Sequence, residues 1–142
     1  MNRASSQIRA LAKQLKALET AGNTFADADN PAAFRTIDKL GSHFSMLMGR
    51  GGVQALHARA LVLATAEVPW LAAVRVVADG KLEGLAAARA TVDAADFSEG
   101  EVVLLAQIIR LLVAFIGPAL TLRLISQLWP QLPFIAAELR NA

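Results

Sequence analysis

Few residues in this chain of 142 are of the types that perform chemistry. There are two histidines, His43 and His57, and the sequence contains neither cysteine nor tyrosine. Catalysis needs several acid, base or nucleophilic groups held close together, and no motif in the sequence fixes such a spacing. The residue types therefore favour a protein that is not an enzyme and that has no bound cofactor.

His57 is the first candidate binding residue. It occupies an apolar stretch, with Leu61 one helical turn further on, and this pattern predicts a ring that is at least partly buried. A buried histidine is usually paired with a carbonyl or carboxylate group, which is the favoured interpretation. The alternative is a haem or metal ligand, with His43, Met46 or Met48 as the second ligand. These residues lack the spacing of paired metal ligands, so no metal is expected.

The segment Gly49-Arg50-Gly51-Gly52 is the second candidate. Free backbone N–H groups at the start of a helix, together with an arginine, are the components of an anion site. The segment has neither the Lys-Ser/Thr pair of a phosphate-binding loop nor a strand before it. A turn between two helices is therefore the leading interpretation, and an anion site at Arg50, Gly51 and Gly52 is the alternative.

A third set of candidates lies within a long apolar segment, residues 102–125. Polar or small residues recur there at steps of three and four: Gln107, Arg110, Ala114, Gly117 and Thr121. This spacing puts them on one face of a helix. We expect that face to lie at the surface or at a subunit contact. The alternative is a ligand site formed by Arg110, Gln107 and His57.

The same segment raises the alternative of a membrane-associated protein. Residues 102–120 contain one arginine and one glutamine, and about a dozen large apolar side chains could offset the cost of about 3 kcal/mol for inserting Arg110. Against insertion, Arg110 lies near the middle of the segment, and no second segment of this kind exists. We therefore expect a helix inside a protein core. The first residues lack the apolar stretch of a secretory signal, which favours the cytoplasm.

Helices must position these candidates. Alanine and leucine make up 50 of the 142 residues, and no stretch shows sustained alternation of apolar and polar residues. We predict an all-α protein, a single domain over residues 1–142, built as a compact bundle of about five helices. At its centre we place a long apolar helix, from about residue 99 to 129, that begins at a capping box of Ser98 and Glu101 and is kinked at Pro118.

The remaining helices follow from spacing and from helix-breaking residues. The first helix runs from Ser5 or Ser6 to about Thr20 and carries an apolar stripe: Ile8, Leu11, Leu15 and Leu18. The second begins at Asn30 and Pro31 and ends at the glycines that start with Gly49. The third, from Val53 to about Glu67, is predicted to be buried on nearly all sides. Residues 69–77 are predicted as helix, with a short strand as the alternative, and residues 81–95 as a peripheral helix.

Charge and composition bear on partners. Fourteen Lys and Arg against 12 Asp and Glu give a net charge of +2, the basic residues are scattered, and no aromatic platform is present, so nucleic-acid binding is not expected. Hydrophobic residues make up 55% of the chain, which predicts surface shared between copies, as a two-fold dimer through the first or the last helix. The expected function is a helical interaction or regulatory module that acts through self-association and partner binding. The alternative is a protein, or an enzyme, that binds a small molecule or cofactor near Arg110 and His57.

Overall fold

The computed structural model describes residues 5–21 and 32–132. These residues form an all-α bundle, which confirms the predicted fold class. The helices are α1 (Ser6–Ala21), α2 (Ala32–Glu67), α3 (Leu85–Thr91), α4 (Ala94–Ile116) and α5 (Pro118–Leu128). Between α2 and α3, two 3-10 turns (Pro69–Ala73 and Ala78–Gly80) accompany β1 (Arg75–Val76) and β2 (Leu82–Glu83), which pair antiparallel. Asn30 and Pro31, the predicted start of the second helix, lie outside the described residues.

Helix α4 is the centre of the bundle, as the apolar composition predicted. Every residue from 101 to 109 is buried. The capping box at Ser98 and Glu101 is wrong, however, because the helix begins earlier, with Asp93 as its cap; the Asp93 carboxylate accepts a hydrogen bond from the Ala95 N–H at 3.3 Å. Aspartate is itself a preferred capping residue, and nothing between Asp93 and Ser98 breaks a helix.

The predicted kink at Pro118 is a complete interruption. Gly117 has φ 89° and ψ 159°, and Pro118 is the first residue of α5. Proline is favoured at the first position of a helix, because the N–H that it lacks would have no hydrogen-bond partner within the helix there. The long helix predicted over residues 99–129 is therefore two helices, and α5 packs against both α4 and α2.

Helix α2 bends sharply at Gly49, which we call the elbow. Gly49 has φ 75° and ψ 166°, a conformation that residues with a side chain rarely adopt. The elbow divides α2 into residues 32–48 and residues 50–67. The predicted helix end at the glycine-rich segment is confirmed at Gly49, but Gly51 and Gly52 are helical. The second half turns back over the first, since a Cβ on Gly41 would lie 3.4 Å from a methyl group of Val53.

Residues 69–95 differ most from the sequence prediction. The helix predicted to Val77 ends at Ala73, as a 3-10 turn. The strand alternative is correct beyond it, since Arg75 and Val76 pair with Glu83 and Leu82. The peripheral helix predicted over residues 81–95 is shorter for the same reason, because its first residues belong to β2. Short β-branched runs such as Val74 to Val77 favour extended backbone.

Two further predictions concern which faces are buried. The stripe of α1 is buried within the chain, with Ile8, Leu11 and Leu15 at most 2% exposed. Helix residues 53–67 are not buried on nearly all sides, because one face is exposed and includes Val62 at 64%. Ala55, Ala58 and Ala66 lie on that exposed face, whereas Ala60 and Ala64 are buried. Within residues 5–21 and 32–132, no helix is both long enough and apolar enough to cross a membrane.

Candidate functional site

The polar stripe of α4 begins in the interior rather than at the surface. Gln107 is fully buried, and its amide donates a hydrogen bond to Glu67 Oε2 at 2.9 Å. Arg9 of α1 forms an ion pair with the same carboxylate, and Arg110 donates to Gln107 Oε1 at 3.4 Å. This buried network connects α1, α2 and α4. The expectation that the stripe faces outward is wrong at Gln107, and also at Thr121, whose buried hydroxyl donates to a backbone carbonyl.

His57 lies in the second half of α2 and is only 2% exposed. Its Nδ1 is 2.7 Å from the carbonyl oxygen of Gly80, so the carbonyl partner predicted for a buried histidine is confirmed. Because a carbonyl only accepts, Nδ1 carries the proton and Nε2 is an acceptor in the neutral ring. Burial lowers the pKa of His57 below 6.5, although the Gly80 carbonyl and the charge of Asp38 act to raise it.

The structure separates His57 from Gln107 and Arg110. Glu67, which binds Gln107, is ten residues beyond His57 on α2, a distance of about 15 Å along the helix. The three residues therefore lie in two different groups. His57 instead shares a depression with Arg50, the arginine of the other sequence candidate.

We call this depression the elbow crevice. It has a volume of about 420 Å³ and lies beside the elbow of α2, closed on one side by the turn before β2. Its lining residues are Asp38, Gly41, Ser42, Ser45, Arg50, His57, Gly80 and Lys81. Of the anion-site candidates only Arg50 lines it, because Gly51 faces open space and Gly52 faces the side chain of Met48.

Close backbone packing holds the imidazole at the base of the crevice. A Cβ on Gly41 would lie 3.2 Å from His57 Cε1, tighter than an ordinary contact. The absence of a side chain at Gly41 therefore lets the ring lie against the first half of α2. The Gly80 carbonyl fixes the ring from the opposite segment of the chain. A ring held in this way is preorganised for a ligand.

A second depression beside the elbow is apolar, and we call it the elbow groove. It has a volume of about 580 Å³. Its lining residues are Leu47, Met48, Gly52, Ala55, Leu56, Arg59, Leu111 and Phe115. Leu47 is 60% exposed and Phe115 is 65% exposed. Sequence reasoning missed this surface because hydropathy assigned both residues to the core.

Comparison with known protein families, characterised proteins and solved structures finds no match. The function has to be inferred from the geometry of this chain. Within the ranges that the structure describes, no three metal-binding side chains come together. The elbow crevice and the elbow groove each combine a defined shape with groups able to bind a partner.

The buried state of His57 predicts a pH dependence of stability. The unfolded chain takes up a proton near pH 6.5, whereas the folded ring is protonated only at lower pH. The free energy of unfolding should therefore fall as the pH decreases below about 6.5, by at most about 1.4 kcal/mol per pH unit. Chemical denaturation between about pH 5 and pH 8 measures this slope.

Two variants test whether His57 causes this pH dependence of stability. His57→Gln should remove it, whereas His43→Gln should retain it, since His43 lies nearer the surface and contacts Gln127. An NMR titration of the wild-type rings checks the same point without a substitution. A folded pKa for His57 at or above 6.5 would contradict the prediction.

Proposed function

We propose that this protein is a helical interaction module that self-associates through the elbow groove, with a second copy of the chain as its occupant. The observation that supports the proposal is the exposure of Leu47 and Phe115 beside a groove with an apolar lining. Large apolar side chains grouped around a depression are typical of protein interaction surfaces.

The groove and the projecting side chains lie on the same face, which suits a two-fold contact. In such a contact Phe115 of each copy enters the groove of the other, because the same patch meets itself. An aromatic side chain buries roughly 150 to 250 Å² and is a frequent energetic centre of an interface. The net charge of +2 adds little repulsion between two copies.

The burial of the α1 stripe favours the last helix over the first as the interface. Its leucines already contact the interior of their own chain and offer little surface to a partner. The last apolar segment, by contrast, brings Leu111 and Phe115 to the groove. We therefore place the interface on α4 and on the elbow of α2. We place the module in the cytoplasm, because the absence of cysteine fits a reducing compartment.

Light scattering coupled to size exclusion at micromolar concentrations tests the proposal. The wild-type protein should have the mass of two chains, and Phe115→Glu should have the mass of one. Loss of an aromatic centre and burial of a charge should raise the dimer Kd by about thirtyfold or more. Val62→Glu is the matched control, because Val62 is equally exposed but lies outside the groove.

Three results would overturn the proposal. The first is a single-chain mass for the wild-type protein at every concentration. The second is a dimer that Phe115→Glu leaves intact. The third is equal dissociation by Phe115→Glu and Val62→Glu, which would show a general effect of added charge. Circular dichroism of each variant confirms that the helices are retained.

A further inference from the structure

The elbow crevice shares no lining residue with the elbow groove, and its lining is polar. Around its wall are two cationic side chains, two hydroxyls, one carboxylate and one imidazole: Arg50, Lys81, Ser42, Ser45, Asp38 and His57. These side chains come from both halves of α2 and from the turn that leads into β2. A volume of about 420 Å³ lies within the range of small-molecule sites.

Some of the lining donors remain available to a ligand. Among residues 5–21 and 32–132, neither the Lys81 ammonium nor the Ser42 hydroxyl has a hydrogen-bond or ion-pair partner. Ser45 donates its hydroxyl to the Ser42 carbonyl at 2.8 Å and keeps its lone pairs. With the Arg50 guanidinium nearby, Lys81 and Ser42 provide donors that suit the oxygens of an oxyanion.

The crevice also contains acceptors. His57 donates Nδ1–H to Gly80, so Nε2 of the neutral ring accepts. Asp38 carries a carboxylate, and its charge acts on His57. A bare inorganic anion would make little use of the two acceptors, and the Asp38 carboxylate would repel it. A neutral polyol would leave the Lys81 ammonium, which has no ion-pair partner among the described residues, without a counter-charge.

We propose that the elbow crevice binds a small hydroxylated oxyanion, either a polyol phosphate or a hydroxy acid. Arg50 and Lys81 hold the oxyanion group, assisted by the Ser42 hydroxyl. Asp38 and His57 Nε2 accept hydrogen bonds from hydroxyl groups of the ligand. Gly41 and Gly80 hold the imidazole in a fixed position, so that little conformational entropy is lost when the ligand binds.

Three probes test the ligand chemistry: glycerol 3-phosphate, glycerate and glycerol. The first two share hydroxyl groups and differ in the oxyanion, and glycerol lacks the oxyanion altogether. NMR signals of the ring nitrogens report directly on the site. The His57 signals should move and saturate with glycerol 3-phosphate, with glycerate or with both, and not with glycerol. The larger response identifies the preferred oxyanion. His43, the other histidine, should respond less.

Two lysine variants separate a built site from general attraction of anions. Lys81→Ala should weaken binding by about tenfold or more, as expected for loss of a charge-assisted hydrogen bond. Lys13→Ala removes an exposed lysine of α1 that lies away from the crevice, and it should leave the affinity unchanged. Both variants should keep the wild-type melting temperature when no probe is present.

The results that would overturn the proposal are specific. They are no saturating change at His57 with either oxyanion, equal responses to glycerol and to the oxyanions, or equal weakening by the two lysine variants. Binding should survive in Phe115→Glu, because the crevice does not use the groove. A failure of self-association is therefore distinguishable from a failure of the crevice.

Discussion

Lys16→Met should lower the free energy of unfolding by about 3 to 5 kcal/mol, because it leaves a buried carboxylate without its cation. Lys16 Nζ lies 3.3 Å from Glu101 Oε1 and donates to Ser98 Oγ at 2.7 Å. The Glu101 side chain is only 6% exposed, and its other oxygen accepts the N–H of Ala33 at 3.3 Å. Chemical denaturation at neutral pH measures the loss.

Two further variants test the cause of that loss. Lys13→Met removes an exposed lysine from the same helix and should change the free energy of unfolding by less than about 0.5 kcal/mol. Lys16→Met combined with Glu101→Gln should recover most of the stability, because the uncompensated charge is gone while the acceptor for Ala33 remains. A double variant no more stable than Lys16→Met alone would contradict a charge-based explanation.

Similar arrangements occur at the buried carboxylate of Glu19 and at the partly buried carboxylate of Glu67, and sequence reasoning found none of the three. The Glu19 carboxylate accepts hydrogen bonds from Lys39 Nζ of α2 at 2.8 Å and from the indole N–H of Trp129 at 3.3 Å. The Glu67 carboxylate forms an ion pair with Arg9 and accepts a hydrogen bond from Gln107. Sequence rules for charge pairs operate within one helix, at spacings of three or four residues. Pairs between helices depend on the packing of the bundle, so the spacing along the chain contains no sign of them.

What the sequence predicted correctly depends on local interactions. The apolar period of α1 predicted a helix with one apolar face, and the glycine-rich segment predicted the break in α2. The apolar neighbours of His57 predicted burial and a carbonyl partner, but not which carbonyl. Each of these features is decided within a few residues of the position concerned. Helix class and most helix positions follow from the same local rules.

The candidate sites could be identified only from the three-dimensional structure. Lys81 and Asp38 are more than forty residues apart and had no sequence feature in common, yet both line the elbow crevice. The capping box at Ser98 failed because Asp93 offered an equally good cap one turn earlier, and because Glu101 is used by Lys16. Local signals compete with each other and with packing, and tertiary contacts decide between them.

The contrast between Leu111 and Leu112 separates core packing from the proposed interface. Leu112 is fully buried in α4, whereas Leu111 is half-buried and lines the elbow groove. Leu112→Ala should lower the free energy of unfolding by about 2 to 5 kcal/mol, since it removes core contacts and leaves a cavity. From the sequence alone, the apolar segment 102–125 predicts that both leucines lie in the core and that truncating either costs about 2 to 5 kcal/mol.

The structure predicts unequal losses instead. Leu111→Ala should cost less than Leu112→Ala when unfolding is measured at concentrations low enough for single chains, because part of the Leu111 side chain already contacts water. At micromolar concentrations Leu111→Ala should also weaken self-association, because it shortens one wall of the groove. Leu112→Ala should leave the dimer Kd unchanged as long as the helices are intact. Equal losses of stability in the two variants would contradict the difference in burial between Leu111 and Leu112. Equal effects on the dimer Kd would contradict the position of the interface.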